Sequence, residues 1–264
     1  MGNILIAAHR GAAGGNVPFN TTPAFECALA QKADIIELDV AKSRDGKLFV
    51  FHPTLEPVFL GIDRYIKDMD AAEVEGLHHL NFDRAVTEYP VEYLEPVLMN
   101  LRGRCRINLD KFWYAPREIA ALVRKLGMED QVIVKANLKP ETLKDVEEYA
   151  PDLPFLAILR EKNTLPEMSP VRCRFLGAEA CFATEDAEVG TKSFVDEMHR
   201  QGKIVWVNAI VYNYKKVLAA WHNDDVSVAG DPERGWGWLA DRGFDIIQTD
   251  FPLMLHRFLC HRGK

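Results

Sequence analysis

Short runs of mainly apolar residues recur along the chain, and each run has the length of a buried strand. Amphipathic segments with helix-start and helix-stop residues separate most of these runs. The predicted strands are residues 4–8, 34–40, 104–109, 132–135, 155–159, 175–179, 204–208 and 244–249. The predicted helices are residues 23–31 with Thr22 as the cap, 116–126, 140–149, 192–201, 214–222, 235–242 and 252–259.

Strands that alternate with helices pair in parallel through right-handed crossovers. Eight such units in about 250 residues predict a closed (β/α)8 TIM barrel. An open doubly wound sheet is the alternative, but the first strand lacks the glycine-rich phosphate loop typical of that fold. We therefore expect a single domain over residues 1–264, with a small insertion at about 54–96 after the second strand that forms a lid over one mouth.

The second predicted strand carries two acidic residues on one face. Side chains alternate along a strand, so Glu37 and Asp39 project side by side with Ile35. An unpaired pair of buried carboxylates would cost several kcal/mol. A hard divalent cation would neutralise the pair, and so would a neighbouring Lys or Arg. This stretch alone leaves both readings open.

Polar residues cluster where the predicted strands end, which is the edge of a barrel that holds active sites. These residues are His9, Arg10, Glu37, Asp39, His52, Asp110, Lys135, Glu179, Trp206, Asn208 and Asp250. The set combines imidazoles, carboxylates and cations. It suits metal-assisted phosphoryl chemistry, in which one histidine accepts a proton and the other donates one.

Composition narrows the class of partner. The 264 residues are 48% hydrophobic and carry a formal charge of -7, so no basic surface predicts binding to nucleic acid or to a membrane surface. The five cysteines are scattered and odd in number, which is typical of reduced thiols in a cytoplasmic protein. No signal peptide and no membrane span are predicted. We expect a small-molecule substrate.

Several motifs in fixed order resemble the glycerophosphodiester phosphodiesterase family. They are His9-Arg10-Gly11, Asn20-Thr21 with Phe25, Glu37-x-Asp39, Asp45-Gly46 with His52, Trp206-x-Asn208 and Thr249-Asp250-x-Pro252. The resemblance implies a barrel that cleaves a phosphodiester bearing a neighbouring hydroxyl and needs one divalent cation, Mg²⁺ or Ca²⁺. It implies His9 and His52 as the acid/base pair and Arg10 on the phosphate. Glu37, Asp39 and Asp110 would be the metal ligands.

Two positions depart from the pattern of that family. Phe19 stands where the family usually has glutamate before Asn-Thr, and Phe112 stands where it usually has a lysine. Lys111 should not replace that lysine, because a one-residue offset in a strand turns a side chain to the other face. Our hypothesis is that Lys135 supplies the missing charge, which requires its amine within about 7 Å of the metal-side carboxylates.

The implied mechanism is attack by the vicinal hydroxyl on phosphorus, with His9 as base and His52 as acid. The product would be an alcohol and glycerol 3-phosphate. A lyase that stops at a cyclic phosphate and a barrel that binds without cleaving remain alternatives. Trp206 could form a wall for the substrate's alcohol or fill the barrel.

Overall fold

The structure, a computed structural model, describes residues 4–160, 172–212 and 215–263. The irregular segment predicted around Pro166 and Pro170 lies outside these residues. The strands of the described part are β1 (Leu5–Ala8), β2 (Ile35–Lys42), β3 (Leu48–Val50), β4 (His78–Leu80), β5 (Val86–Pro90), β6 (Arg106–Asp110), β7 (Val132–Asn137), β8 (Pro154–Leu159), β9 (Arg174–Ala180), β10 (Ile204–Asn208), β11 (Val211–Tyr212), β12 (Lys216–Val217) and β13 (Ile246–Thr249).

The helices lie between the strands. They are α1 (Thr22–Ala30), α2 (Glu56–Phe59), α3 (Ala71–Val74), α4 (Leu94–Leu101), α5 (Pro116–Leu126), α6 (Pro140–Tyr149), α7 (Lys192–Arg200), α8 (Asp224–Val228), α9 (Trp238–Arg242) and α10 (Pro252–His261). Short 3-10 turns occur at Ile66–Asp68, Phe112–Tyr114 and Glu188–Gly190, and a π-helical turn at Glu233–Gly237 precedes α9.

A closed parallel barrel forms the centre of the molecule. Within the described residues, eight strands pair in the order β1-β13-β10-β9-β8-β7-β6-β2, and β2 pairs with β1 to complete the ring. All eight pairings are parallel. This confirms the predicted TIM barrel, whose carboxyl-end mouth collects the residues that follow each strand.

Side chains of the barrel strands divide between two apolar clusters. The inner cluster fills the barrel below its mouth and consists of Ala7, Ile35, Ile133, Leu156, Trp206 and Ile246. The alternate positions of β2, such as Ile36, Leu38 and Val40, face the helices in the larger outer cluster. The alternation therefore directs Glu37 and Asp39 to the barrel interior, on the same side as Ile35.

The chain between β3 and β6 forms a small body with its own core. It contains α2, α3 and the antiparallel pair β4–β5, whereas α4 packs in the outer cluster of the barrel through Leu94, Val97, Leu98 and Leu101. Phe49, Phe51, Leu60, Ile66, Met69 and Val74 are buried together there. The strand β3 folds back antiparallel on β2 over the Asp45-Gly46 turn, where Gly46 has a φ of +86°. This hairpin carries the chain to His52 at the mouth of the barrel.

Local predictions were wrong at two places. Helix α1 begins at Thr22 and its cap is Thr21, whose hydroxyl accepts a hydrogen bond from the Ala24 N–H. The helix predicted at 214–222 is absent from the described residues of that range. Lys216–Val217 instead pairs antiparallel with Val211–Tyr212, forming a hairpin at the mouth. No described helix is long and apolar enough to cross a membrane.

Candidate active site

Three carboxylates from two neighbouring strands meet at the mouth of the barrel. The register of β2 and β6 places Asp39 beside Asp110, and Glu37 lies two residues earlier on the same face. One oxygen from each of the three lies within 4.8 Å of the others. Glu37 and Asp39 are buried, and Asp110 is the partly accessible member. The structure thus brings together the three residues predicted as metal ligands.

The backbone at the end of β1 supports this cluster. The Arg10 N–H donates to Glu37 Oε2 over 2.9 Å, and Arg10 has a φ of +55°. The next residue, Gly11, has a φ of +83°, and a Cβ there would lie 2.7 Å from the Ala24 backbone. Only glycine fits at this close approach to α1. The His-Arg-Gly motif therefore bends the chain so that its first two side chains enter the site.

Two cations lie against Asp39. Arg10 Nε is 2.8 Å from Asp39 Oδ2, and Lys111 Nζ is 3.4 Å from Asp39 Oδ1. Burial alone would raise the pKa of Asp39, but Arg10, Lys111 and His52 together hold that pKa well below its usual range. Asp39 is therefore a carboxylate at every physiological pH.

The pKa of Glu37 is shifted in the opposite direction to that of Asp39. Burial, followed by the nearby charges of Asp39 and Asp110, raises the pKa of Glu37 to about 8 in the metal-free protein. Asp39 Oδ1 accepts no hydrogen bond from any described residue although it is buried. A buried oxygen that accepts no hydrogen bond, with the Lys111 amine 3.4 Å away and two further carboxylates beside it, is what a hard cation would satisfy. The donor set fits a Mg²⁺ or Ca²⁺ ion.

His9 lies between an acid and a phenol. Its Nδ1 is 2.8 Å from Asp250 Oδ1, and its Nε2 is 3.0 Å from the Tyr212 hydroxyl. The Nδ1–H donates to the carboxylate, which fixes the orientation and the tautomer of the ring. The Tyr212 hydroxyl also accepts a hydrogen bond from Arg10 Nη2 over 3.2 Å. Tyr212 belongs to a hairpin whose second strand lies in the range predicted as a helix, 214–222, and Tyr212 itself was not predicted as a site residue.

His52 lies on the other side of the carboxylates. Its Nδ1–H donates to the Pro53 carbonyl oxygen over 2.8 Å, and its Nε2 is 3.9 Å from Asp39 Oδ1. Burial lowers the pKa of His52 to about 4, and the Arg10 charge acts in the same direction. This ring is neutral at pH 7, with the lone pair of Nε2 available on the side of the site.

Asn20 makes two hydrogen bonds with Asp39, one with its carboxylate and one with its backbone N–H. Its Nδ2 donates to Asp39 Oδ2 over 2.9 Å, and its Oδ1 accepts the Asp39 N–H over 3.2 Å. Asn20 has a φ of +58°, a left-handed conformation that asparagine tolerates better than most residues. The sequence motif contains Asn20, but its partner could not be read from the sequence.

Lys135 and Trp206 lie deeper in the barrel. Lys135 Nζ is 3.3 Å from Glu179 Oε2 and 3.8 Å from the centre of the Trp206 ring. The positive charge of Lys135 opposes the rise in the pKa of Glu37 and contributes to the lowered pKa of Asp110. Trp206 is fully buried, and its indole N–H donates to Asn208 and to Gln248. Trp206 does not line the cavity described below, so the structure favours barrel filling over a substrate wall.

Sequence analysis placed the Lys111 side chain on the other face of the strand, away from the carboxylates, and that placement was wrong. The strand β6 ends at Asp110, and Lys111 follows with a φ of +62°. The rule of alternating faces therefore no longer applies to it. Its amine lies 2.5 Å from Asp110 Oδ2. Phe112, at the position of the family lysine, is fully buried in the outer apolar cluster.

A cavity of about 450 Å³ opens beside these groups. It is lined by Glu37, Asp110 and His52 and by the cationic side chains of Lys111, Lys135, Arg160 and Lys216. Apolar side chains, including Ile158, Ile210 and Leu218, complete the wall. A cavity of this size takes a small organic molecule.

A TIM barrel whose mouth carries carboxylates, imidazoles and cations has the composition of an enzyme active site. The chain matches the Glycerophosphoryl diester phosphodiesterase family over residues 9–254. It therefore belongs to that family of enzymes.

One curated relative agrees with this assignment, and two solved structures share the fold. A glycerophosphodiester phosphodiesterase of Bacillus subtilis is 30% identical over 61% of this chain and 61% of its own. The match thus covers less than two thirds of that relative's length. A solved glycerophosphoryl diester phosphodiesterase from Parabacteroides distasonis has a TM-score of 0.76 at 20% identity, over 98% of this chain and 87% of its own.

A third similarity concerns the fold alone. A phosphodiesterase from Oleispira antarctica, solved with the product sn-glycerol-3-phosphate, has a TM-score of 0.69 at 17% identity. The similarity covers 96% of this chain and 95% of that one.

Proposed function

We propose that this chain hydrolyses glycerophosphodiesters to an alcohol and glycerol 3-phosphate with the help of one divalent cation, Mg²⁺ or Ca²⁺. The observation that carries the proposal is the meeting of three carboxylates and two imidazoles at one barrel mouth, in a member of this family. The Oleispira antarctica protein of the same fold was solved with glycerol 3-phosphate as its product, which supports this choice of substrate.

Glu37, Asp39 and Asp110 would hold the cation, which supplies positive charge to the phosphoryl oxygens when it is bound. The guanidinium of Arg10 has N–H donors beyond those that face Asp39 and Tyr212, and these would bind a phosphoryl oxygen. Lys135 would add a second positive charge from the cavity wall and so take over the role of the family lysine.

The two histidines divide the proton transfers. His52 Nε2 carries a lone pair and would take the proton of the vicinal hydroxyl as that oxygen attacks phosphorus. His9, which the Asp250 carboxylate orients, would give a proton to the departing alcohol oxygen. Water then opens the cyclic phosphate with the roles exchanged. This assignment reverses the one predicted from the sequence.

The assignment is tested with an activated leaving group. Removing a general acid matters less when the departing group is a stable anion such as p-nitrophenolate. We expect His9→Ala to lose about 10²- to 10⁴-fold in kcat with an alkyl diester and to recover most of it with the aryl diester. We expect His52→Ala to stay slow with both. Recovery of His52→Ala alone would reverse the roles.

Phosphorus NMR on a panel of glycerophosphodiesters, with choline, ethanolamine, glycerol and inositol as the alcohols, tests the function itself. We expect a phosphomonoester signal to grow when Mg²⁺ or Ca²⁺ is present and to stop when EDTA is added. A cyclic phosphodiester that persists would indicate the lyase instead. Lack of turnover across the panel, with metal added, would indicate a barrel that binds without cleaving.

A further inference from the structure

We propose that the Lys111 ammonium is a built-in counter-ion that occupies the cation position in the metal-free protein and is displaced when the divalent cation binds. The proposal rests on the metal site of the proposed function. In this proposal the Lys111 side chain competes with the metal for the carboxylates, and this competition sets the metal affinity.

The amine of Lys111 bridges two of the three carboxylates. Its Nζ lies 2.5 Å from Asp110 Oδ2 and 3.4 Å from Asp39 Oδ1. These carboxylates stand side by side on neighbouring strands, and a divalent cation held between them would use the same oxygens. Two cations cannot share those oxygens without strong repulsion. Binding of the metal therefore requires the amine to leave.

The backbone conformation of Lys111 places its amine at the carboxylates. Lys111 adopts a left-handed conformation, with a φ of +62° and a ψ of +20°, directly after the last residue of β6. That conformation is unfavourable for a residue with a side chain, so its surroundings must select it. Phe112 is fully buried and fixes the chain on the far side of the turn. The turn directs the lysine back over the carboxylates.

The other cation at the cluster is arranged differently. Arg10 approaches Asp39 through the opposite oxygen, Oδ2, and Tyr212 holds the guanidinium from a second direction. Arg10 could therefore stay in place if the three carboxylates held a metal. Lys111 has an alternative position, because its amine lies 5.4 Å from the centre of the Trp113 ring and both residues line the cavity.

Calorimetric titration of Mg²⁺ and Ca²⁺ into EDTA-stripped protein tests the competition without any substrate. We expect Lys111→Met to bind the metal about 10- to 100-fold more tightly, the range to which one hydrogen bond between charged groups corresponds. Lys111→Arg keeps the charge and should bind no more tightly than the wild type. The matched control is Lys42→Met, because Lys42 pairs with Glu118 away from the cluster, and it should leave the dissociation constant unchanged.

Thermal denaturation gives a second readout. Metal-free Lys111→Met should melt below the wild type, because Asp39 and Asp110 lose a buried counter-charge, and added metal should raise its Tm more than that of the wild type. If the Met variant does not fold, Lys111→Gln takes its place. An unchanged or weaker dissociation constant in a folded, uncharged variant would overturn the proposal.

The outcomes separate this proposal from the proposed function. Metal binding by Lys111→Met but not by the wild type would support the competition. Absence of metal binding in both would overturn it together with the metal part of the proposed function. Tighter binding by the variant in a protein that cleaves no glycerophosphodiester would support the competition and overturn the proposed function.

Discussion

Replacing Asn20 by alanine should destabilise the protein and disable the site, although Asn20 itself touches no reacting atom. The side chain makes two buried hydrogen bonds with Asp39, one to its carboxylate over 2.9 Å and one from its N–H over 3.2 Å. Loss of a hydrogen bond to a charged group costs about 1.5–3 kcal/mol, and a buried N–H left without a partner costs about 1–3 kcal/mol.

Some relaxation will recover part of that sum, so we expect the free energy of unfolding to fall by about 3 kcal/mol. Domains of this kind have about 5–15 kcal/mol of stability, so Asn20→Ala should still fold. The loss should be measured by urea denaturation followed by circular dichroism in EDTA. Activity should fall as well, because Asp39 loses the group that fixes its orientation.

The control is Asn16→Ala. Asn16 is exposed and accepts one hydrogen bond from Asn81 over 2.9 Å, so its loss should change stability by less than about 0.5 kcal/mol. Equal effects of Asn20→Ala and Asn16→Ala would refute the reasoning. Asn20→Asp separates the two bonds, because it keeps the acceptor for the Asp39 N–H, loses the donor and adds a negative charge.

Three further substitutions test other parts of the structure. Tyr212→Phe should lower kcat/KM by about 10- to 100-fold in steady-state kinetics with little change in Tm, because the hydroxyl positions His9; unchanged kinetics would contradict this. Asp250→Ala should lower kcat by about 10²-fold or more, because the His9 ring loses its orienting carboxylate, and a pH-rate profile identical to that of the wild type would rule this role out. Gly177→Ala should lower Tm sharply, since its Cβ would lie 1.9 Å from a backbone oxygen of the neighbouring strand, whereas Gly14→Ala meets open space and should melt like the wild type.

The sequence contains enough information for the barrel, because eight apolar runs alternate with helices. It also predicts the carboxylate cluster, because Glu37 and Asp39 share one face of a strand and the family resemblance adds Asp110, which the structure places beside Asp39. Side chains alternate between the two faces of a strand, and this rule holds only as long as the strand continues. The proposed roles of these residues and the cytoplasmic location remain predictions.

The parts that sequence reasoning missed depend on where regular structure stops. Lys111 reaches the site because β6 ends one residue earlier and the chain turns left-handed. Tyr212 reaches it because a two-strand hairpin, rather than a helix, follows β10. Asn20 reaches it because a loop with a positive φ brings it beside Asp39. Each of these contacts is set by tertiary packing, which residue spacing does not encode.

The most direct test is a crystal grown with Mn²⁺ and glycerol 3-phosphate, with the anomalous signal used to locate the metal. The account predicts one peak within about 2.6 Å of oxygens from Glu37, Asp39 and Asp110. The phosphate should lie between the rings of His9 and His52. A metal bound elsewhere, or a phosphate remote from both imidazoles, would contradict the account.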